Sequence, residues 1–265
     1  MHEILRHLPE GARVLDLGSR GGSFDASAYP VRVMRVDLEI PSHGSHAAFV
    51  QADAARLPFP DASFDAVISN HSLEHFERLE PALQELGRVV RRSGSIFIAV
   101  PDAGTFSDKL YRWLGRGGGH VNAFRSRADL IALVERHTTL RFVGGRSLMT
   151  SLAILNHKNL AGRIQKKLIL LGGGREKQLV LWSLISRLSD RWLGTRLSLY
   201  GWALYFGALH EELDTSTWWN VCVRCGSGCS SAWLEQLGIV KRNRFLIRGY
   251  ACPTCGAPNI FTRDF

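Results

Sequence analysis

A glycine-rich turn that directly follows an apolar segment constrains most strongly what this chain can fold into. The segment from Val14 to Phe24 reads VLDLGSRGGSF. Its first apolar residues suit a buried parallel strand, and its glycines permit positive φ and a close approach of the backbone to a ligand. Such loops bind nucleotides through backbone N–H groups, although a tight strand-to-helix turn without a ligand has the same sequence. The stretch therefore predicts a strand, a candidate nucleotide-binding loop and then a helix.

Further apolar segments alternate with helical patterns along the first half of the chain. Strands are predicted at 31–36, 48–51, 66–69, 95–100 and 140–143, and helices at 1–12, 79–91 and 127–137. The last of these helices opens with a capping box, Ser126 to Asp129. Strands and helices at this spacing predict an α/β fold with a doubly wound, Rossmann-like parallel sheet, here of seven strands.

Polar residues fall where the predicted strands end. Asp37 closes the second strand, Asp53 follows the third and Asn70 the fourth. Ligands of doubly wound sheets lie at the carboxyl ends of the strands. An acid at the tip of the second strand is placed to accept hydrogen bonds from ribose hydroxyls, and the alternative is an acid that only meets solvent.

Four segments in order carry a resemblance to a known family: VLDLGSRGGSF, VDLE, ADAARLPFPDASFDAVISNHSLEHF and ELGRVVRRSGSIFIAVPD. Residues 1–145 resemble the class I S-adenosylmethionine-dependent methyltransferases, in particular the branch that contains small-molecule, quinone and cell-surface-sugar enzymes. The resemblance implies S-adenosylmethionine as cofactor. It places the methionine end at Asp16, Gly18, Ser19 and Gly22, the ribose at Asp37, and the adenine at Leu38, Asp53 and Ala54. Asn70 and His71 would line the cofactor beside the incoming substrate.

One position departs from the family pattern. The family loop usually reads GxGxG, whereas this chain has Arg20 at the middle glycine. A Cβ there would crowd the cofactor or demand a strained φ, unless Gly21 takes over the turn. Because the acids of the later strands are all present, the sequence favours cofactor binding over a domain that no longer binds.

Three histidines are candidates for the chemistry. Methyl transfer needs an acceptor held in line with the methyl group and often a base that removes a proton. His71 and His75 follow the fourth strand, one helical turn apart if the segment is helical, and His120 lies in HVNAF, which resembles the substrate mouth of sugar and quinone methyltransferases. The predicted catalytic residues are therefore His75, His120 and His71. In the alternative interpretation, Glu74 and His75 only stabilise a helix start.

Residues 146–215 are predicted to be a helical, basic and aromatic insertion. Between residues 160 and 209 there are eight Arg or Lys and two acids. A helical face is formed by Leu181, Leu184, Ile185, Leu188 and Trp192. The segment is interpreted as a cap whose apolar face packs on the sheet; docking on an anionic membrane surface and capture of RNA stay open. The uncharged run 197–209 is too short to span a bilayer.

Residues 216–265 are predicted to hold the last core strand, at 218–223, and a zinc ribbon. The chain has two CxxC-Gly motifs, and such knuckles aim two thiolates each at one ion. The predicted ligands of a structural Zn²⁺ are Cys222, Cys225, Cys252 and Cys255, with a redox dithiol as the minor alternative. Cys229 is left over, and a strand is expected at 245–250.

These patterns together predict a cytoplasmic class I methyltransferase, because the N-terminus shows no export signal, with peripheral contact to a membrane left open. The expected reaction is O-methylation of a small molecule such as a sugar, a polysaccharide precursor or a secondary metabolite. A net charge of +9 favours anionic partners, so an RNA methyltransferase is the alternative. Against it, the chain has neither an Asn-Pro-Pro-aromatic motif nor a cysteine placed as a nucleophile. A non-catalytic scaffold is a third hypothesis, favoured only by Arg20.

Overall fold

The computed structural model describes residues 1–19, 21–41, 48–114, 119–156, 175–209, 213–242 and 247–264. The predicted effect of Arg20, the first part of the basic run and the start of the predicted strand at 245–250 lie outside these residues. In chain order the elements are α1 (His2–Leu5), β1 (Arg13–Leu17), β2 (Arg32–Asp37), β3 (Ala48–Gln51), β4 (Phe64–Asn70), α2 (Leu79–Val89), β5 (Val90–Pro101), α3 (Phe106–Leu114), α4 (Arg127–His137), β6 (Phe142–Met149), α5 (Glu176–Leu193), β7 (Leu199–Gly207), β8 (Asn220–Val221), β9 (Gly228–Cys229), α6 (Ser231–Gln236), β10 (Lys241–Arg242), β11 (Arg248–Ala251) and β12 (Pro258–Ile260).

Seven strands form one sheet in the order β3-β2-β1-β4-β5-β7-β6. The pairs β2 with β3, β1 with β2, β1 with β4 and β4 with β5 are parallel. Strand β1 is buried from Val14 to Leu17, and β4 buries Ala66, Val67, Ile68 and Ser69. Such continuous burial is typical of parallel strands that are covered on both faces. The predicted α/β, Rossmann-like seven-stranded fold is confirmed.

The chain divides into two compact units. The first gathers residues 1–102, 119–146 and 202–215, and the second gathers residues 103–118, 147–201 and 216–265. The core of the first unit is built on β1, β4 and β5 and on the apolar face of α2, which buries Leu83, Leu86 and Val89. Helix α4 has the predicted bounds, and the hydroxyl of Ser126 accepts a hydrogen bond from the N–H of Asp129 at 3.2 Å, as the capping box requires.

The last strand of the sheet is not where the sequence predicted it. The prediction of a core strand at 218–223 is wrong: only Asn220–Val221 are extended there, and they pair antiparallel with Gly228–Cys229. The seventh strand is instead Leu199–Gly207, which the sequence analysis assigned to the helical insertion. That run is almost entirely buried, and hydrophobic periodicity does not distinguish a fully buried strand from a buried helix.

The helix predicted after the glycine loop is replaced by a 3₁₀ turn, and the helix predicted at 1–12 is shorter than expected. The glycine loop leads into a single 3₁₀ turn, Ala26–Ala28, and not into a helix. The carboxylate of Asp25 caps this turn, because it accepts hydrogen bonds from the N–H and the hydroxyl of Ser27. The helix predicted at 1–12 covers only His2–Leu5.

In the second unit, α5 buries a different face from the expected one. Leu181, Ile185, Leu188 and Trp192 are exposed, so the expected packing of this apolar face on the sheet does not occur. The helix buries Leu179, Ser183 and Arg187 instead. The guanidinium of Arg187 donates a hydrogen bond to the carbonyl oxygen of Ile260 in β12 at 3.1 Å.

The C-terminal part of the second unit is a small two-sheet module. Strands β10, β11 and β12 are antiparallel, and β8 pairs with β9. A minor core of Cys229, Leu234, Tyr250 and Phe261 joins α6 to this sheet. Among the described helices of the whole chain, none has the length and hydropathy needed to cross a membrane.

Candidate functional site

Two positions of the glycine loop after β1, Gly18 and Gly22, fit only glycine. Gly18 has φ +66°, and a Cβ there would lie 2.5 Å from Cβ of Ser72 and 3.3 Å from Cε1 of Phe76. Gly22 has φ +112°, and its Cβ would lie 2.3 Å from the guanidinium of Arg35. A Cβ on Gly21 would meet nothing within 4 Å. The loop therefore packs directly against the turn that follows β4.

Asp16 fixes this loop from the interior. Its side chain is fully buried, and Oδ2 accepts a hydrogen bond from the N–H of Ser23 at 2.9 Å. Burial raises the pKa of the Asp16 carboxyl, while the hydrogen bonds from Ser23 and the charge of Arg35 act in the opposite direction. Arg35 is itself buried, with Nε 3.8 Å from Oδ2 of Asp16. Sequence reasoning missed Arg35, although a cation in the middle of an apolar strand was a readable signal.

The predicted nucleoside-binding residues lie at neighbouring strand ends. Asp37 ends β2, where its Oδ1 accepts a hydrogen bond from the N–H of Glu39 at 3.0 Å, and the side chain of Leu38 is exposed. Asp53 follows β3, and its Oδ1 accepts a hydrogen bond from the N–H of Ala55 at 2.9 Å. Strands β2 and β3 are adjacent and parallel, so both carboxylates lie at the same edge of the sheet.

The other predicted cofactor-binding residues are Ala54, Asn70 and Ser19. Ala54 is buried beneath this edge, and Asn70 ends β4 and is half-buried. Ser19 belongs to the loop itself, because its carbonyl oxygen accepts the N–H of Gly22 at 2.7 Å. The cofactor-binding roles of all these residues stay predictions.

His71 and His75 lie on a tight turn after β4. They do not lie on an α-helix, which the sequence had left open for this segment. His71 has a left-handed backbone, φ 55°, and Leu73–His75 form one 3₁₀ turn. Nδ1 of His71 lies 3.8 Å from Oε1 of Glu74, whose side chain is buried. Burial, followed by the neighbouring His120 and His75, lowers the pKa of His71 to about 4, so this imidazole is neutral at physiological pH.

Main-chain hydrogen bonds hold His120 against this turn. The carbonyl oxygen of Glu74 accepts the N–H groups of Val121 and Asn122, at 2.9 and 3.0 Å. The side-chain amide of Asn122 donates to the carbonyl oxygens of Leu73 and Phe76, at 2.9 and 2.7 Å. Sequence reasoning missed Asn122, although a polar residue in an otherwise apolar VNAF stretch was the available signal.

The outcome is one cluster of imidazoles and a carboxylate. The rings of His75 and His120 lie edge to face with centroids 4.9 Å apart. One potential ligand atom from each of Glu74, His75 and His120 lies within 4.8 Å of the others. The structure thus brings together the three histidines that the sequence proposed as catalytic, and it adds the buried Glu74 to them.

The four predicted metal-binding cysteines converge in the second unit. Sγ of Cys222 lies 3.6 Å from that of Cys255, and Sγ of Cys225 lies 3.7 Å from that of Cys252. Four thiolates at 2.3 Å from a tetrahedral Zn²⁺ are about 3.8 Å apart, so the donor set fits this ion. Cys229 is buried in the separate minor core, and the group of four does not include it.

Charged and polar groups surround the four sulfurs. The guanidinium of Arg224 forms a two-pronged pair with the carboxylate of Glu176, at 2.6 and 2.8 Å, and donates to the carbonyl oxygen of Cys255 at 2.9 Å. The N–H of Arg224 and the amide of Asn259 point to Sγ of Cys222 at 3.4 and 3.5 Å. Such donors stabilise thiolates and orient metal ligands.

Comparisons with known proteins show what the chain is similar to in sequence and in fold. A family profile described as a methyltransferase domain matches residues 10–98. An uncharacterized protein of Methanocaldococcus jannaschii is 31% identical over 170 residues, which cover 62% of this chain and 78% of the relative. Residues 10–98 of the chain thus belong to the methyltransferase-domain family. A malonyl-[acyl-carrier protein] O-methyltransferase of Methylococcus capsulatus is 33% identical to this chain over 141 residues, 48% of the chain and 51% of the relative. The chain thus spans about half the length of that curated relative.

A solved structure has the same fold as this chain. It is a methyltransferase from an antibiotic biosynthesis pathway of Anabaena variabilis, with a TM-score of 0.52 and 21% identity, covering 77% of this chain and 94% of the solved chain. The residues at the strand ends fit S-adenosylmethionine. The loop after β1 turns at Gly18 and Gly22, which both have positive φ, and Asp37 stands at the strand end where ribose hydroxyls bind in such folds.

Proposed function

We propose that this protein transfers the methyl group of S-adenosylmethionine to a hydroxyl oxygen of a small molecule, such as a sugar, a polysaccharide precursor or a secondary metabolite. One observation carries the proposal: His75 lies on the turn against which the glycine loop packs, and its imidazole is paired with that of His120. Imidazoles that assist proton removal suit a hydroxyl acceptor. The named activity of the Methylococcus capsulatus relative, an O-methyltransferase, supports an oxygen acceptor.

The chain's own residues divide the work of holding the cofactor. The loop that carries Gly18, Ser19 and Gly22 would contact the methionine end, with Asp16 fixing the loop from behind. The carboxylate of Asp37 would accept hydrogen bonds from the ribose hydroxyls, and Leu38, Asp53 and Ala54 would surround the adenine. The bound cofactor supplies an electrophilic methyl group on a sulfonium. Asn70 would line the side from which the acceptor approaches.

His75 and His120 would assist removal of the acceptor's proton. Nδ1 of His75 lies 3.0 Å from the carbonyl oxygen of Gly119, which places the proton on Nδ1 and leaves Nε2 as an acceptor or ligand. Because the burial of His71 keeps that imidazole neutral, it adds no positive charge that would oppose proton removal. Most of the rate enhancement would still come from holding the acceptor oxygen in line with the methyl group.

For the second unit we propose a structural Zn²⁺ on Cys222, Cys225, Cys252 and Cys255. A closed tetrathiolate site has no open coordination position for a substrate or water. The surrounding module is small, with a minor core of four buried side chains, and a module of this size gains its stability from such an ion.

Calorimetry of S-adenosylmethionine binding tests the proposed function. Asp37→Ala should weaken binding by about tenfold or more, since hydrogen bonds to a carboxylate are worth about 1.5–3 kcal/mol. Glu39→Ala is the matched control, because Glu39 lies two residues away and its backbone N–H to Asp37 is kept. Release of S-adenosylhomocysteine with a panel of hydroxyl compounds then identifies the acceptor. A folded, zinc-loaded protein that does not bind the cofactor would overturn the proposal in favour of the scaffold hypothesis.

A further inference from the structure

We propose that Glu74, His75 and His120 form a binding site for a divalent transition-metal ion, and that the acceptor chelates this ion through two neighbouring oxygens. A vicinal diol, a catechol or an α-hydroxy acid has this chemistry. The inference rests on the proposed function and deepens it, because it states how the two imidazoles assist proton removal and which class of hydroxyl compound the site selects.

The geometry of the three side chains requires little change to hold an ion. Their potential ligand atoms lie within 4.8 Å of one another. Ligand atoms at about 2.0–2.2 Å from one ion are about 3–4 Å apart, so a small closing movement completes the set. The ring centroids of His75 and His120 are 4.9 Å apart, and the rings are inclined at 73°, so the two imidazoles meet edge to face.

The backbone keeps these ligands in register. His120 is held beside Glu74, because the carbonyl oxygen of Glu74 accepts hydrogen bonds from the N–H groups of the next two residues, Val121 and Asn122. The amide of Asn122 adds two hydrogen bonds to the same turn. The carbonyl oxygen of Gly119 faces Nδ1 of His75 at 3.0 Å, the outer hydrogen bond that usually orients a metal-bound histidine.

The donor types indicate which ions fit. Two imidazoles and one carboxylate suit Zn²⁺, Fe²⁺, Co²⁺ or Mn²⁺, whereas Mg²⁺ and Ca²⁺ prefer all-oxygen sites. Three protein ligands leave positions open, as in catalytic and not in structural metal sites. Two of these open positions accommodate a chelating acceptor.

The site lies where such an ion would act. The turn that carries Glu74 and His75 is the one against which Gly18 packs, so the ion would stand beside the methionine end of the cofactor. A divalent cation lowers the pKa of a bound hydroxyl and orients it. The hydroxyl proton leaves to water, the O–CH₃ bond forms as the S–CH₃ bond breaks, and the electron pair of that bond stays on sulfur.

Binding of Mn²⁺ to the zinc-loaded protein, followed by electron paramagnetic resonance, tests this site without any need for activity. Mn²⁺ prefers oxygen and nitrogen ligands, so it leaves Zn²⁺ on the four thiolates. The expected result is one Mn²⁺ per chain, with affinity at least about tenfold lower in Glu74→Gln and His120→Gln. Glu77→Gln and His7→Gln are matched controls, because both residues are exposed, and they should bind Mn²⁺ as the wild type does. Catechol, but not phenol, should change the spectrum of the bound ion.

The outcomes separate this inference from the proposed function. Wild-type protein that binds S-adenosylmethionine but no Mn²⁺ overturns the metal site and leaves the methyltransferase proposal standing. Equal Mn²⁺ affinity in wild type, Glu74→Gln and His120→Gln overturns it as well, since the ion then binds elsewhere. If phenol changes the spectrum of the bound Mn²⁺ as much as catechol does, the proposal that the acceptor chelates the ion is overturned.

Protein that binds Mn²⁺ at this site but no S-adenosylmethionine contradicts the proposed function alone. Because Glu74 is buried, the stoichiometry of the wild type and the His120→Gln variant carry the test if Glu74→Gln does not fold.

Discussion

The carbonyl oxygen of Gly119 lies 3.0 Å from Nδ1 of His75, although 44 residues separate the two in sequence. A carbonyl oxygen only accepts hydrogen bonds, so this contact places the imidazole proton on Nδ1. The other nitrogen, Nε2, is then the one that can take a proton or bind a cation. Gly119 itself has φ +73°, a conformation that side chains rarely adopt, which fixes the carbonyl where His75 needs it.

The first prediction concerns His75. His75→Gln should lower the turnover number by about 10²-fold or more, because the variant loses Nε2 as proton acceptor or ligand. The dissociation constant of S-adenosylmethionine should change little, since the loop that would hold the cofactor does not include His75. Release of S-adenosylhomocysteine measures the turnover, and calorimetry measures the binding. His7→Gln, at an exposed histidine, should retain wild-type turnover. An equal loss in both variants would argue against a role in the reaction.

The second prediction concerns two glycines of one loop. Gly18→Ala should abolish or severely weaken cofactor binding and destabilise the fold by about 1–3 kcal/mol, because its backbone has φ +66° and the new Cβ would overlap Ser72. Gly21→Ala should be tolerated, since nothing lies within 4 Å of its Cβ. Urea unfolding and cofactor calorimetry on both variants check this pair. Similar behaviour of the two would contradict the loop geometry.

The candidate site could be proposed from the sequence because its residues follow strand ends. The parallel order of β1, β2 and β4 brings Gly18, Asp37 and Asn70 to one edge without any knowledge of side-chain packing. It could not show that Glu74 is buried, because that depends on the 120–122 segment returning to the same turn. Contacts over such sequence separations leave no local pattern to read.

The fold was predictable wherever hydrophobic periodicity and local capping agree, as in α4. It was not predictable for β7, because a run that is buried on all sides lacks the alternation that marks a strand. The face of α5 was misread for a related reason. Its buried side carries Ser183 and Arg187, whose polar groups are hydrogen-bonded, so polarity there does not mean exposure.

The third prediction concerns the metal content of the second unit. Purified protein should contain one Zn²⁺ per chain on the four thiolates, and Cys252→Ser should lose it together with much of the stability of the module. Cys229→Ser should keep full zinc, because Cys229 lies in the separate minor core. Elemental analysis and thermal unfolding check both variants. Loss of zinc in Cys229→Ser would mean that the fifth cysteine is a ligand.

The fourth prediction concerns pH. His71 has a folded-state pKa of about 4, below its ordinary value of 6.5, so the unfolded chain binds a proton between these values that the folded chain does not. The stability that depends on neutral His71 is thus fully present above pH 6.5 and is lost as pH falls toward 4. His71→Asn should reduce the slope of unfolding free energy against pH in this window by up to about 1.4 kcal/mol per pH unit. Asn tolerates the left-handed backbone at this position.

Urea unfolding at several pH values between 4 and 7 measures that slope. An exposed histidine provides the reference, so His7→Gln should leave the slope close to that of the wild type. A titration of His71 itself, followed by nuclear magnetic resonance, should give a midpoint well below 6.5. A midpoint at or above 6.5 would show that His71 accepts a proton in the fold.

The last prediction concerns the buried arginine of α5. The guanidinium of Arg187 donates to the carbonyl oxygen of Ile260 at 3.1 Å, to the hydroxyl of Thr262 at 3.3 Å and toward the carbonyl oxygen of Val221 at 3.5 Å. Burial lowers the pKa of Arg187, a sign that its charge has little contact with water.

Arg187→Met keeps a long apolar side chain but removes every hydrogen-bond donor. The oxygen atoms that accepted hydrogen bonds from the arginine then stay buried without a donor. Each such group costs about 1–3 kcal/mol, and the free energy of unfolding should fall by at least that amount. Arg191→Met, one helical turn further on and exposed, should change it by less than about 0.5 kcal/mol. Urea unfolding of the zinc-loaded variants compares the two, and equal losses would show that α5 is held by its apolar contacts alone.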